Sequence, residues 1–495
     1  MASIWLALAL VALPFLLQKM FKLKKKLPPG PRGLPLIGNL HMIGENLHQD
    51  LYKIAKKYGP IMTIRFGLVP TIVASSPHAA EQFLKNHDLI FASRPYHAAC
   101  HYIFYNQRNL IMAKYGPHWR NMRKLCALQL LSSVKINSFQ PMRKQELEIL
   151  VNFLKKAALN QDEVDLSAKV AYLSANMACL MVFGKKYNID EDNKGFKGVI
   201  QETSHIAATP NLAELFPFLR FLDLQGLARR MKQVAKSCDE FLENVIDEHV
   251  RLSTDEKKQT SDIVDTLMGI MRSGEAEFEF DRCHVKAVLL DLLVASMDTS
   301  SAAIEWILSE LFRHPDVMKK LQKELEHVVG RKRMVEESDL ENLQYLDMVI
   351  KEGFRLHPVA PLLLPHESIE DCIVDGFHMP KGSRLLVNVW AIGRDSDTWL
   401  EPEKFIPERF QGSNIDLRGQ NFQLLPFGSG RRSCPGLQLG LTIVRLAVAQ
   451  LVHCFDWKLP NGMMPKDIDM TEKFGLVTAK TQHLMAIPNY RLHIQ

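Results

Sequence analysis

The stretch that most constrains how this chain can fold is a loop of glycines and arginines around one cysteine, Phe427 to Gly436. Glycine lets the backbone turn tightly and approach a flat group closely, because it has no Cβ. An apolar run from Leu437 to Cys454 follows and has the length of a helix. A cysteine just before a helix lies at the positive end of the helix dipole, and Arg431 and Arg432 add positive charge. The loop therefore predicts a stabilised thiolate at Cys434, acting as a nucleophile or as a metal ligand.

The spacing F-x-x-G-x-R-x-C-x-G in this loop resembles the haem-binding loop of the cytochrome P-450 enzymes. In that family the cysteine thiolate is the axial ligand of the haem iron. The resemblance implies that Cys434 binds the iron of haem b, that Arg432 holds a haem propionate and that Phe427 packs near the sulfur. The alternative is a buried structural cysteine, which is the commoner fate of a lone cysteine.

Composition favours one large domain. No linker divides the chain after residue 40, and a hydrophobic fraction of 47% predicts a large aliphatic core. The net charge of +6 is mild and is not clustered, which argues against nucleic-acid binding. The eight cysteines are scattered without a C-x-x-C pair, and no N-x-[ST] sequon occurs. Both absences favour a reducing compartment.

The beginning of the chain predicts a membrane anchor. Residues 2–17 are apolar apart from Ser3, and five lysines follow within the next nine residues. Charge after the apolar run, rather than before it, favours an uncleaved single-pass anchor over residues 1–21, with the rest of the chain in the cytosol. Residues 22–40 are basic and proline-rich, and Pro28 to Pro31 resembles the hinge of microsomal cytochromes P-450. The resemblance implies that residues 41–495 form a haem-thiolate monooxygenase domain, held at the endoplasmic reticulum membrane.

Regular structure is predicted at several places in that domain. Alternating patterns predict strands at Ile61–Phe66 and Thr71–Ala74, and a helix follows from Pro77 to Leu84. Most of the region from Val164 to Ser253 has helical periodicity. One long helix is predicted from Asp281 to Arg313, with Asp281 as its N-cap and a proline after its end.

The middle of this long helix carries a polar cluster in a nearly continuous apolar run. Burying Asp298 and Thr299 is costly unless both groups are bonded or useful. The cluster resembles the family motif A/G-G-x-D/E-T-T/S, which implies that Asp298 and Thr299 relay protons to bound dioxygen. The chain departs from the motif at Ser296, where the family usually has glycine, so the groove geometry is open. The alternative for Thr299 is a hydroxyl bonded to the preceding helical turn.

Further residues are assigned to haem binding by the resemblance. Trp119 and Arg123 are four apart, so they share one helical face. They resemble the W-x-x-x-R pair that reaches a haem propionate, although a surface arginine would show the same spacing. His366 stands where many relatives carry a propionate-binding arginine. Either His366 makes this contact through one nitrogen or the contact is missing.

A structural network is predicted from two other motifs. Glu352 and Arg355 resemble the family's E-x-x-R, and Arg409 lies in a P-E-R-F segment that resembles the site of their third partner. The resemblance implies a buried Glu–Arg–Arg group that serves folding rather than catalysis.

The segments expected to border the substrate pocket are apolar and aromatic. Ser93 to Pro117 is irregular and rich in Tyr, His and Phe, which is typical of a functional loop but also of a plain surface loop. The resemblance implies that it caps the pocket. The predicted lining residues are Phe104, Ala295, Val359, Leu362 and Phe474.

Taken together, the motifs resemble those of a plant microsomal cytochrome P-450. This implies a mainly α fold with a small β region, shaped as a triangular prism behind the anchor. It also implies hydroxylation of a hydrophobic or phenolic plant metabolite by dioxygen, with electrons from NADPH through a membrane flavoprotein reductase. Two alternatives are a haem-thiolate isomerase or dehydratase that uses a hydroperoxide without a reductase, and a non-enzymatic haem carrier. The Asp298–Thr299 pair argues against the first, and the apolar segments argue against the second.

Overall fold

The computed structural model of the chain describes residues 26–187, 196–252, 262–473 and 475–493. These residues form sixteen α-helices and eleven short strands, which confirms the predicted mainly α fold with a small β region. The helices are α1 Leu47–Tyr58, α2 Pro77–Glu81, α3 Ala98–Ile103, α4 Pro117–Leu125, α5 Ser133–Ser138, α6 Gln140–Asn160, α7 Leu166–Phe183, α8 Phe196–Ala208, α9 Leu212–Leu215, α10 Leu227–Leu252, α11 Ile263–Ser273, α12 Arg282–Arg313, α13 Pro315–Val328, α14 Gln344–Leu356, α15 Val389–Ile392 and α16 Leu437–Cys454.

The strands form four small sheets. They are β1 Ile61–Phe66, β2 Val69–Ala74, β3 Val164–Asp165, β4 His366–Glu367, β5 Cys372–Val374, β6 Phe377–Met379, β7 Arg384–Val387, β8 Phe455–Lys458, β9 Glu472–Lys473, β10 Ala479–Lys480 and β11 Met485–Tyr490. The largest sheet has the order β1-β2-β7-β4, and only its β2–β7 pair is parallel. A three-stranded sheet has the order β3-β11-β8, and the remaining strands pair as β5-β6 and β10-β9.

Strand β1 has the predicted bounds, whereas β2 begins two residues before the predicted Thr71. The turn is therefore confined to Gly67 and Leu68. Strand β7 pairs with β2 only from Thr71 onward, so Pro70 lies where β2 has a neighbour on one side alone. Proline is tolerated at such an edge position, because its missing N–H leaves no ladder bond unmade.

The long helix α12 begins at Arg282 and ends at Arg313, as predicted. The carboxylate of Asp281 accepts the backbone N–H of His284 at 2.9 Å, and the His284 ring bonds back to the Asp281 backbone N–H. This capping box starts the helix, and Pro315 begins the next one.

The core is built on three helices that are long and apolar enough to cross a membrane by length and composition: α7, α12 and α16. Between 61% and 72% of their most apolar windows is buried inside the protein. Burial in the core therefore accounts for their hydropathy. The predicted anchor over residues 1–21 lies outside the described residues.

The later part of the proline-rich segment packs against the first sheet. The Thr63 N–H donates to the Pro29 carbonyl at 2.8 Å, and the Asn39 N–H donates to the Arg65 carbonyl at 2.7 Å. A Cβ at Gly30 would lie 1.9 Å from the Thr63 carbonyl oxygen. The chain therefore enters the domain along strand β1.

Candidate active site

The cysteine loop is shaped by two glycines in the left-handed region of the backbone. Gly428 has a φ of 69° and Gly430 a φ of 68°, conformations that residues with a Cβ rarely adopt. A Cβ at Gly430 would also lie 2.4 Å from the Leu84 carbonyl oxygen. The Cys434 N–H donates to the Phe427 carbonyl at 2.9 Å and closes the loop just before α16.

The surroundings of Cys434 combine burial with some uncovered surface. Burial raises the pKa of the thiol, while the Gly436 N–H and the charge of Arg123 act in the opposite direction. The residue is nevertheless exposed, so part of its surface is not covered by packed atoms. The charge near the sulfur comes from Arg123, because Arg431, which was expected to add charge there, pairs with Asp88 at 2.6 Å.

Arg432 is turned away from the sulfur and into the protein. Its Nε donates to the Ala92 carbonyl and its Nη2 to the Ala113 carbonyl, both at 2.6 Å. Its guanidinium carbon lies 4.1 Å from the centre of the Trp119 ring. Its Nη1 is buried and has no hydrogen-bond partner among the described residues. Since buried donors are nearly always bonded, Nη1 indicates a missing acceptor.

Two more arginines lie near Arg432. Burial, followed by the charges of Arg94 and Arg123, lowers the pKa of Arg432 to about 8. Arg123 lies beside the loop, with its Nη2 3.5 Å from the Ser433 hydroxyl. Arg94 is buried and its Nη1 donates to the carbonyls of Leu364 at 2.9 Å and of Pro365 at 2.8 Å. Across the described parts of the chain, no carboxylate pairs with any of these three arginines.

His366 and Trp119 both lie at this cluster. The His366 Nδ1 donates to the Phe91 carbonyl at 2.8 Å, and burial together with the charge of Arg94 lowers the His366 pKa well below its usual value. The Trp119 indole N–H donates to the Leu110 carbonyl at 3.1 Å. Trp119 thus has no further side-chain N–H to donate, and a neutral His366 has only an acceptor nitrogen left, at Nε2.

On α12, the predicted acid–alcohol pair is half-buried. The Thr299 hydroxyl donates to the Ala295 carbonyl at 2.6 Å, which is the bond to the preceding turn that was the alternative to a functional hydroxyl. The Ser296 hydroxyl donates in the same way to the Leu292 carbonyl at 2.6 Å. The Ser296 side chain is thus folded back onto its own helix. Ala295 is exposed, although most of α12 is buried in the core. Helix α12 also packs against α16, the helix that follows the cysteine loop.

The other predicted pocket residues are distributed over different parts of the core. Phe104 and Val359 are buried in the main core cluster, whereas Leu362 packs against the separate cluster of α1 and β1. Leu363, which has a φ of 51°, lies beside the cysteine loop, 3.7 Å from the position of a Cβ built on Gly428. Phe474 lies outside the described residues.

The predicted network of Glu352, Arg355 and Arg409 is brought together in the structure. The Glu352 carboxylate binds Arg355 through two bonds of 2.7 and 2.8 Å and the Nε of Arg409 at 2.9 Å. It also accepts the Ile406 N–H at 2.8 Å. Glu352 and Arg355 are almost completely buried, at 0% and 1% exposure.

Comparison with known proteins decides what this arrangement is. A family model described as Cytochrome P450 matches residues 28–485. Cytochrome P450 CYP736A12 of Panax ginseng is 52% identical over 473 residues, which cover 94% of each chain. Flavonoid 3'-monooxygenase CYP75B137 of Crocosmia x crocosmiiflora is 40% identical over 94% of this chain and 93% of its own. Cytochrome P450 71B37 of Arabidopsis thaliana is 39% identical over the full length of both.

The chain belongs to the cytochrome P450 family.

As a cytochrome P450 the protein is a monooxygenase with haem-thiolate iron as its cofactor and dioxygen as a substrate. Cytochromes P450 generally act on hydrophobic compounds and receive their electrons from a redox partner. Their plant members are typically anchored in the membrane of the endoplasmic reticulum.

The residues of this P450 fit a haem. Haem carries two carboxylates, and the cluster of Arg94, Arg123 and Arg432 offers positive charge without a paired carboxylate, together with the unbonded Nη1 of Arg432. Arginine suits a carboxylate because its planar fork can bond it through two nitrogens. Cys434, which is an exposed residue, supplies a sulfur in the adjoining loop.

Sequence reasoning missed Arg94 and Asp291. Asp291 of α12 is buried and accepts the Asn109 side chain at 2.7 Å and the N–H groups of Leu110 at 2.6 Å and Ile111 at 3.2 Å. Burial raises its pKa to about 7. The carbonyls of Leu110 and Ile111 in turn accept Trp119 and Arg94. Asp291 therefore holds the loop on which these two residues rest. The only signal in the sequence was one acidic residue in an apolar run.

Proposed function

We propose that this cytochrome P450 hydroxylates a hydrophobic or phenolic plant metabolite, with electrons from NADPH delivered by a membrane flavoprotein reductase. The observation that carries the proposal is the arrangement of an exposed Cys434 beside a cluster of arginines without carboxylate partners. This arrangement accompanies a family match over nearly the whole chain.

In this proposal Cys434 would bind the haem iron through its thiolate. Arg123 and Arg432 hold the propionates, and the Nη1 of Arg432 is the donor with a free position for a carboxylate oxygen. Bound haem with a thiolate ligand supplies the activation of dioxygen. Phe427, whose ring centre lies 5.3 Å from that of Phe354, packs beside the sulfur.

The only side-chain N–H of Trp119 donates to the Leu110 carbonyl, so Trp119 supports the site by packing against the Arg432 guanidinium. The Nδ1 hydrogen of His366 is likewise used by the Phe91 carbonyl, so the direct propionate contact of His366 is missing in this proposal.

Asp298 and Thr299 deliver protons to dioxygen. Because the Thr299 hydroxyl gives its hydrogen to the Ala295 carbonyl, its oxygen keeps lone pairs with which to accept a bond. Thr299 thus orients a proton donor rather than giving up its own proton. Asp298, the residue before Thr299 on the helix, is half-buried and supplies the acid of the pair.

The substrate class is supported by the apolar residues assigned to the pocket. Phe104 and Val359 are buried aromatic and aliphatic side chains, and Ala295 and Thr299 leave a small surface on α12. The other two predicted lining residues, Leu362 and Phe474, stay predictions. Two relatives at 40% identity carry flavonoid hydroxylase names, which supports a phenolic substrate.

The reductase would approach the side on which α4 is exposed. Arg120 and Lys124 are exposed on this helix, although Lys124 pairs with Glu277 at 2.6 Å. Exposed ion pairs are weak, so Lys124 remains able to exchange partners. An acidic surface on the flavoprotein would complement these side chains.

Membrane attachment is supported by exposed apolar side chains in two segments of the chain, residues 34–37 and residues 218–224. Phe218, Phe221, Leu222 and Leu224 are between 48% and 82% exposed. The Leu68 N–H donates to the Leu215 carbonyl just before them, and the Gly67 N–H donates to the Ile37 carbonyl. Leu34, Leu36 and Ile37 are also exposed, so these neighbouring segments form one apolar surface of the kind that docks on a membrane. Together with an anchor over residues 1–21 and a hinge over residues 22–40, this surface would hold the domain of residues 41–495 on the cytosolic face of the endoplasmic reticulum.

The test of this function uses membranes that contain the full chain and a plant reductase, supplied with heavy-isotope dioxygen and a panel of phenolic and terpenoid compounds. We expect one labelled oxygen atom in a product whose formation requires NADPH. Turnover of hydroperoxides without label and without NADPH would instead show an isomerase or dehydratase.

Replacement of Thr299 by alanine is expected to divert electrons from product to peroxide. With the hydroxyl removed, proton delivery is no longer oriented, and we expect product formed per NADPH to fall about tenfold or more. The measurement compares NADPH consumed, product and peroxide. Thr299→Ser keeps the hydroxyl and should restore most of the product. Ser309→Ala removes a hydroxyl bonded in the same way, at 2.8 Å to the Glu305 carbonyl, and should leave the ratio unchanged. An unchanged ratio in Thr299→Ala would remove Thr299 from proton delivery.

A further inference from the structure

Helix α7 makes one hydrogen bond directly to the turn of α12 that precedes Asp298 and Thr299. The Ser174 hydroxyl donates to the backbone carbonyl of Ser296 at 3.0 Å. Ser174 is only 3% exposed, so water does not compete for this bond. The contact is therefore a fixed link between two core helices.

The carbonyl that receives this bond is already a helical acceptor. In a continuous α-helix the Ser296 carbonyl accepts the N–H of Ser300. A second donor that comes from another helix ties this carbonyl, and the turn that carries it, to that helix. The bond from Ser174 therefore acts on the turn that contains Thr299.

The same turn carries further hydroxyl bonds to carbonyls. Ser296 donates to Leu292, Thr299 donates to Ala295, and Ser301 donates to the Asp298 carbonyl at 3.0 Å. These three donors belong to α12 itself and move with it. Ser174 is different because it belongs to another helix, so it fixes the position of the turn relative to the rest of the core.

We propose that Ser174 is a positioning residue for proton delivery, which holds the Asp298–Thr299 turn through the Ser296 carbonyl. This inference rests on the proposed role of Thr299. Removal of the hydroxyl releases the turn from α7 and lets the Thr299 oxygen move, while Asp298 and Thr299 themselves remain intact.

The chain offers a matched control on the same two helices. Ser167 lies two turns before Ser174 on α7, so both project from one face of the helix. Its hydroxyl donates to the Glu305 carboxylate and accepts the Leu484 N–H at 2.8 Å. Glu305 lies nine residues beyond Ser296, about 13 Å along the helix axis. Ser167→Ala thus breaks an α7–α12 link that is remote from Thr299.

We expect Ser174→Ala to raise the ratio of peroxide to product about fivefold, the effect of one lost hydrogen bond. The assay uses the full chain with haem, the reductase and the panel compound that the wild type oxygenates fastest. Ser174→Thr keeps the hydroxyl and should restore the wild-type ratio, and Ser167→Ala should leave it unchanged even if thermal stability falls.

A second readout does not depend on turnover. Amide hydrogen exchange of the segment covering residues 296–301 should become faster in Ser174→Ala but not in Ser167→Ala. If Ser174→Ala does not accumulate, Ser174→Cys keeps the volume, replaces the hydroxyl by a weak donor and is judged by the same measurements. If Thr299→Ala uncouples but Ser174→Ala changes neither the ratio of peroxide to product nor the amide exchange, the inference about Ser174 is overturned while the proposed role of Thr299 stands. Absence of any labelled product in the wild type would instead overturn the proposed function.

Discussion

Replacement of Cys434 by serine is expected to abolish the thiolate-type carbon monoxide difference spectrum of the reduced protein and, with it, oxygenation. The sulfur of Cys434 sits in a loop closed by its own N–H on the Phe427 carbonyl, with the Gly436 N–H and Arg123 favouring its ionised form. A serine hydroxyl is not ionised at neutral pH and is a far poorer electron donor to iron. The loss should therefore be essentially complete.

The measurement separates loss of the ligand from loss of haem or of the fold. The arginine cluster remains in the variant, so we expect haem still to bind. Haem content is therefore determined by a method that does not depend on the carbon monoxide spectrum. Cys372→Ser, which changes a half-buried cysteine on strand β5, should leave the spectrum as in the wild type. A normal spectrum in Cys434→Ser would show that another group binds the iron.

Replacement of Glu352 by glutamine is expected to lower the stability of the folded protein more than any other substitution proposed above. The Glu352 carboxylate is the common partner of Arg355 and Arg409. Arg355 is 1% exposed, and the side chain of Arg409 is 8% exposed. Glutamine carries no negative charge, so the two buried guanidinium groups lose their shared carboxylate and keep only carbonyl oxygens as acceptors. Breaking a buried ion group in this way costs about 3–5 kcal/mol.

Large proteins often unfold irreversibly, so the rate of haem loss on heating is the appropriate measurement. Glu403→Gln is the matched control, since it also removes a carboxylate from an arginine, Arg394. Its side chain is 66% exposed, and exposed pairs contribute only about 0–1 kcal/mol. Equal rates in the two variants would contradict the structural role of the Glu352 network.

The arginines of the site show how far sequence reasoning could go. Arg123 and Arg432 lie in motifs with fixed spacing, so both were predicted and both lie in the cluster. Arg94 was missed, because its partners Leu364 and Pro365 are some 270 residues away along the chain. No local pattern marks an arginine whose surroundings are made by a distant segment.

The apolar, proline-bent run from Val359 to Leu364 shows the same limit at the level of single positions. The sequence does not indicate that Leu363 lies beside the cysteine loop, and the assignment of Leu362 to the pocket stays a prediction. The direction of each side chain in such a run depends on φ, and Leu363 has a positive φ that periodicity does not indicate.

From the sequence by itself one could derive the features that neighbouring residues control. The bounds of α12 and α16 follow from a capping residue, a proline and the extent of apolar runs, and the shape of the Cys434 loop follows from glycines at positive φ. Tertiary structure alone decided that Arg123 rather than Arg431 lies near the sulfur, that Asp291 accepts the N–H groups of Leu110 and Ile111, and that Ser174 bonds to the Ser296 carbonyl. The physical reason is that capping and backbone strain act within a few residues. Hydrogen bonds and charges, by contrast, act on whichever groups the packing of distant helices brings within about 3 Å.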